Sequence, residues 1–573
     1  MMRFNKLCLL LILIVLGMQS ATSNTLAVKR GLNDYNIILS CDASESEKTG
    51  AKELRTYLKI ICGIDFKITD TVGLNNIYIG YHKRILRKAK IRKLKDDDET
   101  FYYKSIGNDL LIYGGRNRGT MYGVFAFLEN ELGVRWYTPD CTIIPKLDKI
   151  VLSGYNHKET PALQYRFHNY FITNSDFVWR AHNRMNMHAL YGTNSYGGYE
   201  AIWNCHTMGQ FVSVDDFFDE HPEYFALRDG KRNKEGQLCL SNPDVLKICQ
   251  EKLIAQIKKE PNYLAYSLSI NDNYFFCTCD KCKYYEEKYG GHSGLIIWFV
   301  NQVAEAIEEP FPGKYISTLA YLYAIPAPTK IKPRDNVMIR ICSIEACHLH
   351  PLAMKCNYRM ARSDIFLTAL NDWSRLTKNI FVWDYVVNWH HLLVPYPNFY
   401  TLSPNIQTFV HSNVVGVLEH ASYQSQGSAF EELKSWVLAK LMWNPYQETR
   451  ALVREFISGY YGKAASYIQE YFDYTQSVVS EDEHLVIFAD PSYNIHFIED
   501  GFRIINNAEK AAEDEVIKER VERVKMQLLY MKCYLNKEEC EKDGTWDKLV
   551  LLGKKYKIQL KEGVKFEESI REF

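Results

Sequence analysis

No charge of one sign prevails in this chain of 573 residues: 69 Lys and Arg stand against 69 Asp and Glu. Without a basic excess to meet phosphate, a protein built mainly to grip nucleic acid is excluded. Long apolar runs are missing too. Leu7–Met18 holds 12 residues, short of the about 18–20 that a membrane-spanning helix needs. A Gly-rich phosphate loop, a G-x-S-x-G elbow and an H-E-x-x-H pair are all absent, which argues against kinase, dinucleotide-binding, serine-hydrolase and zinc-protease chemistry. No internal repeat or low-complexity linker is evident. What is present is globular: 47% hydrophobic and 24% charged residues, with length for roughly three domains at about 100–200 residues each. Aromatics reach 14%, including 40 Tyr and 10 Trp. Rings with an apolar face and a polar tip suit a sugar cleft as well as a core.

The N-terminus carries Arg3 and Lys6, then the short apolar run, then Gln19-Ser20-Ala21-Thr22-Ser23. This order predicts a secretory signal peptide over residues 1–23. Cys8 lies inside the run, so no lipid-anchor site is evident, and a soluble exported protein without a membrane anchor is expected. Export permits disulfides, but 14 cysteines in about 550 residues are too sparse for a disulfide scaffold. Cys277, Cys279 and Cys282 form a tight C-x-C-x-x-C run. Three thiolates of this kind fit zinc, a local disulfide or a packed turn. The fourth ligand would have to come from afar, and no metal or cofactor is expected.

Residues 24–155 read as a small α/β domain. Tyr35–Ser40, Asn76–Gly80 and Asp109–Gly114 are short strand-like runs. Ser44–Cys62 places Ala51, Leu54, Leu58 and Ile61 on one helical face, and Asn117–Leu132 predicts a helix stopping at Gly133. Lys83–Glu99 reads as a solvated helix with an acidic turn. Residues 160–444 alternate strand-like runs with helical stretches. The runs are Leu163–Phe171, Met187–Tyr191, Gln237–Ser241, Leu264–Asn271, Tyr315–Tyr321, Val337–Ser343, Ile380–Tyr385 and Val414–Glu419. They suit an α/β fold of the (β/α)8 barrel type. Helices are expected over Pro243–Lys259, Gly294–Glu309 and Ser428–Trp443. Residues 445–573 carry helical periodicity and predict a C-terminal helical region.

In a barrel the reactive groups sit at the C-terminal ends of the strands. Those ends supply Asn271-Asp272, then Glu345 with His348 and His350, then Trp383-Asp384-Tyr385 with Trp389, His390 and His391, and finally Glu419. His206 follows in Asn204-Cys205-His206. Glycosidic cleavage needs an acid for the leaving oxygen and a group that stabilises positive charge at the anomeric carbon. Each carboxylate read alone is as readily a cap or an ion-pair partner. The four histidines show no metal-binding spacing.

Gly119–Asp140 resembles the accessory α/β domain that precedes the barrel in α-glucuronidases and β-hexosaminidases. His221–Arg232, Gln237–Val245, Ser267–Cys282, Arg340–Leu352 and Val382–Phe399 together resemble the bacterial family once catalogued as domain of unknown function 4838, part of which is glycoside hydrolase family 163. The resemblance spans about residues 30–460. It departs at Glu419-His420-Ala421, where a Gly is expected after the Glu. The resemblance implies a retaining endo-β-N-acetylglucosaminidase acting on complex N-glycans, periplasmic or secreted. The other readings are an exo-acting hexosaminidase, a uronic-acid-specific glycosidase and a non-catalytic glycan-binding protein. Substrates with a 2-acetamido group can supply their own nucleophile. Asp272 and Glu345 are therefore the expected catalytic pair. Asn271 is expected to hold the acetamido group, while His206, His348, Trp383, Asp384, Tyr385, Trp389 and Glu419 contact the glycan.

Overall fold

The computed structural model describes residues 27–29, 35–188, 195–354, 356, 361–477, 483–490 and 493–572. The expected signal peptide lies outside them. The described chain forms two compact units, one built mainly from residues up to 160 and the other mainly from Pro161 onward. No described helix is long and apolar enough to cross a membrane.

The first unit is a six-stranded mixed sheet with helices. Its strands are β1 (Tyr35–Leu39), β2 (Lys67–Thr69), β3 (Asn75–Ile79), β4 (Phe101–Ile106), β5 (Asp109–Gly114) and β6 (Asn156–Glu159), in the order β6-β4-β5-β3-β1-β2. Helix α1 (Glu45–Cys62) starts at a capping box between Ser44 and Glu47 and buries Ala51, Leu54, Leu58 and Ile61, the face its spacing predicts. Helix α2 is shorter than its charge pattern suggested. It spans Lys83–Ala89 and stops where Lys90 turns left-handed. Helix α3 covers Gly119–Asn130.

The second unit is centred on an eight-stranded, all-parallel sheet: β7 (Tyr165–His168), β8 (Met187–His188), β9 (Tyr199–Trp203), β10 (Tyr263–Ser267), β11 (Tyr315–Ala320), β12 (Val337–Cys342), β13 (Ile380–Tyr385) and β14 (Val414–His420). The hydrogen-bonded order is β7-β14-β13-β12-β11-β10-β9-β8, and the sheet curls until its two end strands lie side by side. No ladder joins β7 to β8 among the described residues. Asn186 bridges them instead: its Oδ1 accepts from the Arg166 N–H at 2.8 Å and its Nδ2 donates to the Gln164 carbonyl at 2.6 Å.

One expected strand is corrected. Gln237–Ser241 contributes a single isolated bridge to Phe225 and no sheet strand. The third strand is Tyr199–Trp203, whose mixed sequence YEAIW lacks the apolar density that drew attention to QLCLS. Long helices flank the sheet, among them α4 (Pro243–Lys259, capped by Asn242), α5 (Asp280–Tyr289), α6 (His292–Glu308), α7 (Ser363–Leu376), α8 (Phe399–His411) and α9 (Glu431–Trp443). The C-terminal part is helical as expected, from α10 (Thr449–Tyr460) and α11 (Ala465–Ser477) to α12 (Ile495–Ala511) and α13 (Glu515–Leu535), and it belongs to the same compact unit as the curled sheet.

The interior of the curled sheet is layered. Tyr165, Phe167, Met187, Ala265, Met338 and Phe381 fill its floor. Gly416 is required there, because a Cβ would stand 2.3 Å from the Phe381 ring and 2.8 Å from the Tyr165 Cβ. Above the floor lie Leu319, Tyr321 and Cys342, with Cys205, Ile344 and Trp383 against them. Replacing Asn186 with Leu keeps the volume but orphans the buried Arg166 N–H at the seam, while the Gln164 carbonyl keeps Arg166 Nη1 at 3.4 Å. The expected loss is about 1–3 kcal/mol, read as a lower midpoint in denaturant unfolding.

Candidate active-site cavity

Above the apolar floor a cavity of about 550 Å³ opens at the C-terminal ends of the strands. Side-chain alternation decides what faces it. On β13, Trp383 and Tyr385 point in, and on β14 Leu418 and His420 do the same. Asp384 and Glu419, cross-strand neighbours in the ladder, take the opposite parity and point into the layer beneath the helices. Their exposures are 4% and 1%. Asp384 meets the Ser343 hydroxyl. Burial pushes the Asp384 carboxyl up to about 6, and burial together with the neighbouring Asp384 pushes Glu419 well above the ordinary range. Lys434 of α9 lies in this layer and donates to the Val386 and Tyr396 carbonyls and to Asn398 Oδ1. The expected contact of Asp384 and Glu419 with substrate is therefore corrected: both sit behind the wall.

The polar end of the cavity is built by the loops after β9 and β10. Hydroxyls tie these loops together. Thr207 Oγ1 donates to the Ser267 carbonyl at 2.8 Å, the His206 N–H donates to Ser269 Oγ at 2.9 Å, and the Ser267 and Ser269 hydroxyls lie 2.8 Å apart. Asn204 and His206 both have positive φ, 56° and 51°. Such a conformation in a His costs energy and is concentrated at functional sites. The His206 Nδ1 lies 2.7 Å from the Ile270 carbonyl. Burial opposes a charged ring, yet the Cys205 sulfur, that carbonyl and Asp272 outweigh it and hold the imidazole above its ordinary value. Asp272 faces the cavity and accepts from the Tyr321 hydroxyl at 2.9 Å. Arg340 reaches in from the middle of β12. One of its Nη atoms donates to the Asn204 carbonyl and to Ser267 Oγ, its Nε has no protein partner, and its plane lies 5.3 Å from the Trp383 ring.

The remaining sequence candidates separate clearly. Trp383, Tyr385 and Trp389 line the cavity, and the Trp383 and Trp389 indole N–H groups are buried without a protein acceptor. Asn271 does not line it. Its Oδ1 accepts from the Gly209 N–H at 3.0 Å, its Nδ2 donates to the Gly236 carbonyl, and Gln237 brackets its backbone. It is an anchor for the Asp272 loop, which corrects the acetamido role expected of it. His348 is buried away from the cavity, with its ring 6.1 Å from Tyr396. Burial lowers its pKa to about 4, so it stays neutral. Glu345 lies one crevice over, beside Tyr321 and Ile344, and pairs with Arg362 at 3.1 Å. Sequence reasoning missed Arg340, Tyr321, Cys205, His420, Tyr423, Ile487, Phe488 and Glu562, all on the wall. Arg340 left a signal, a lone charge inside the apolar run Val337–Cys342. Glu562, far away in the helical region, left none.

The Cys205 thiol has unusual neighbours. Burial favours its neutral form, but the Arg340 charge and His206 override this and lower its pKa. Burial pushes Cys249 up to about 12, and burial followed by the nearby Cys205 and Asp272 raises Cys342 further. Because the thiolate is the reactive species, iodoacetamide should alkylate Cys205 in the folded protein well before Cys249 or Cys342. Peptide mass mapping over time checks the order.

Three solved structures are similar to this chain. A family GH115 4-O-methyl-α-glucuronidase with specificity for decorated arabinogalactans is 13% identical, with a TM-score of 0.60 over 92% of this chain and 77% of that one. A GH138 enzyme targeting pectin rhamnogalacturonan II is 10% identical, with a TM-score of 0.47 over 94% and 78%. A β-N-acetylhexosaminidase from Bacteroides fragilis is 12% identical, with a TM-score of 0.41 over 79% and 94%. At such identity the first likeness is one of fold. Among curated proteins no sequence matches this chain. Residues 136–473, more than half of the sequence and the whole of the curled sheet, match the family described as domain of unknown function DUF4838, and the chain belongs to that family.

Proposed function

We propose that the protein is an exported glycoside hydrolase of the retaining endo-β-N-acetylglucosaminidase type, cutting complex N-glycans with help from the substrate's own acetamido group. One observation carries the reading. Asp272 and His206 meet at the polar end of a cavity whose other wall is Trp383, Tyr385, Trp389 and Tyr423. Rings of this kind stack on sugar faces, and the polar pair supplies the chemistry. The acetamido oxygen attacks the anomeric carbon and forms an oxazoline ring as the bond to the leaving oxygen breaks. Asp272, oriented by the Tyr321 hydroxyl, accepts the acetamido N–H and stabilises the developing positive charge. The His206 imidazolium gives its proton to the leaving oxygen. In the second half, neutral His206 takes a proton from water, the hydroxide adds to the anomeric carbon, and the oxazoline opens with retained configuration as Asp272 returns the proton to the acetamido nitrogen. Glu345, held by Arg362 outside the wall, is given no step.

A second reading, a uronic-acid-specific glycosidase, is favoured by Arg340. Its guanidinium, together with a histidine that favours the cation, would suit a sugar carboxylate. The structure that shares this fold at a TM-score of 0.60 is that of a 4-O-methyl-α-glucuronidase. Incubating the protein with a complex N-glycoprotein and weighing the product separates the two. Release of a glycan ending in a single N-acetylglucosamine supports the first reading. Release of free uronic acid from an acidic glycan, with the N-glycoprotein untouched, supports the second.

Asp272→Asn keeps volume and is expected to lower kcat by about 10²–10⁴-fold, the usual contribution of a group in acid–base catalysis. Glu345→Gln is expected to lose far less. Because His206 must be protonated to act, kcat should fall as pH rises through its elevated pKa. Asp272 is one of the groups that elevate it, so residual activity of Asp272→Asn should fall off at lower pH than in the wild type. Full activity in Asp272→Asn overturns the assignment.

A further inference from the structure

We infer that Cys239, Cys277, Cys279 and Cys282 form a four-thiolate zinc site that fixes the loop carrying Asp272. The four sulfurs all lie within 4.8 Å of one another. Cys239 Sγ is 3.7 Å from Cys279 Sγ and 3.8 Å from Cys282 Sγ. A regular tetrahedron of Zn–S bonds about 2.3 Å long has edges of about 3.8 Å. The spacing thus matches metal ligation, and all four cysteines are free of disulfides. Cys239, Cys277 and Cys282 are buried and Cys279 is half-buried, so the metal would be closed off from the cavity, as structural zinc is. The surroundings suit thiolates. The Leu227 N–H points at Cys277 Sγ at 3.3 Å, and the Ser241 hydroxyl lies 3.2 Å from Cys282 Sγ. Partners of this kind orient and tune metal ligands.

The fourth ligand comes from the segment Gln237–Ser241, which explains why that apolar stretch is no strand. It runs across the end of the sheet to deliver Cys239. Two residues earlier, Gln237 brackets Asn271 and Asn273 with hydrogen bonds of 2.8–3.0 Å. Four residues after Asn273, Cys277 enters the cluster. The Asp272 loop is therefore clamped from both sides by one metal.

A different cluster carries a second site of the same class. Cys347, His350, Cys356 and His484 place one ligand atom each within 4.8 Å. Cys347 Sγ is 3.3 Å from His350 Nδ1 and 3.7 Å from His484 Nδ1, and Cys356 Sγ is 3.1 Å from His484 Nδ1. Two sulfurs and two imidazoles around zinc give edges of about 3.4–3.8 Å. This site ties the loop after β12 to the segment 483–490, which also bonds through the His348 N–H to the Leu485 carbonyl and through the Trp389 N–H to the Ile487 carbonyl, both at 2.9 Å. Ile487 and Phe488 of that segment line the cavity.

Metal content of the purified chain tests both sites without reference to activity. Two zinc ions per chain are expected, one lost in Cys282→Ser and the other in His484→Ala. Cobalt exchanged into wild-type protein should show sulfur-to-cobalt charge transfer and tetrahedral d–d bands, and these should change separately in each variant. If either variant fails to fold, the wild-type zinc count and cobalt spectrum still decide. Protein without zinc that does not take up zinc or cobalt, or peptide mapping that finds disulfides among Cys239, Cys277, Cys279 and Cys282, overturns the four-thiolate site. A zinc count in His484→Ala equal to that of the wild type overturns the second.

Discussion

The cavity rests on one constraint, the two-residue alternation of parallel strands buried on both faces. Along β13 and β14 each position must face either the interior or the helix layer, and the ladder forces neighbours to agree. Trp383, Tyr385, Leu418 and His420 go inward as a set, so Asp384 and Glu419 go outward as a set. Two carboxyls packed side by side away from water are costly in charged form. The fold answers with Lys434, whose amine burial lowers to about 7, and with the Ser343 hydroxyl. A shift of one residue in either strand would exchange the two sets and leave an acidic lumen and an aromatic seam.

The same constraint separates what the sequence made legible from what it hid. Strand existence was readable where apolar runs are dense, as in Val337–Cys342 and Ile380–Tyr385. It failed at Tyr199–Trp203, where a short strand carries Glu and Trp, and at Gln237–Ser241, whose apolar residues serve a loop. Strand-end chemistry was readable in kind but not in direction. Trp383 and Asp384 are adjacent in sequence, and only the register of β13 tells which of them meets a ligand. Asn271 was hidden differently. Its amide is spent on Gly209 and Gly236, backbone groups 62 and 35 residues away, and no local pattern announces such a partner.

The site also divides its labour between rigid and irregular parts. Strands supply Trp383, Tyr385 and Arg340, and the segments that follow β13 and β14 add Trp389 and Tyr423. The loops after β9 and β10 supply Asp272 and the positive-φ His206, held by hydroxyls rather than by a ladder. Polar cross-links of this kind hold loop side chains in place where no ladder does.

Ile487, Phe488 and Glu562 reach the cavity from the helical region rather than from the strands. In evolutionary terms this splits the protein into a conservative part and an adjustable one. Substitutions at Phe488, which is largely exposed, or around Glu562 can reshape one side of the binding space without disturbing ladder register. Divergence among relatives that share the curled sheet is then expected to concentrate there, so that glycan preference drifts while the reacting groups stay in place.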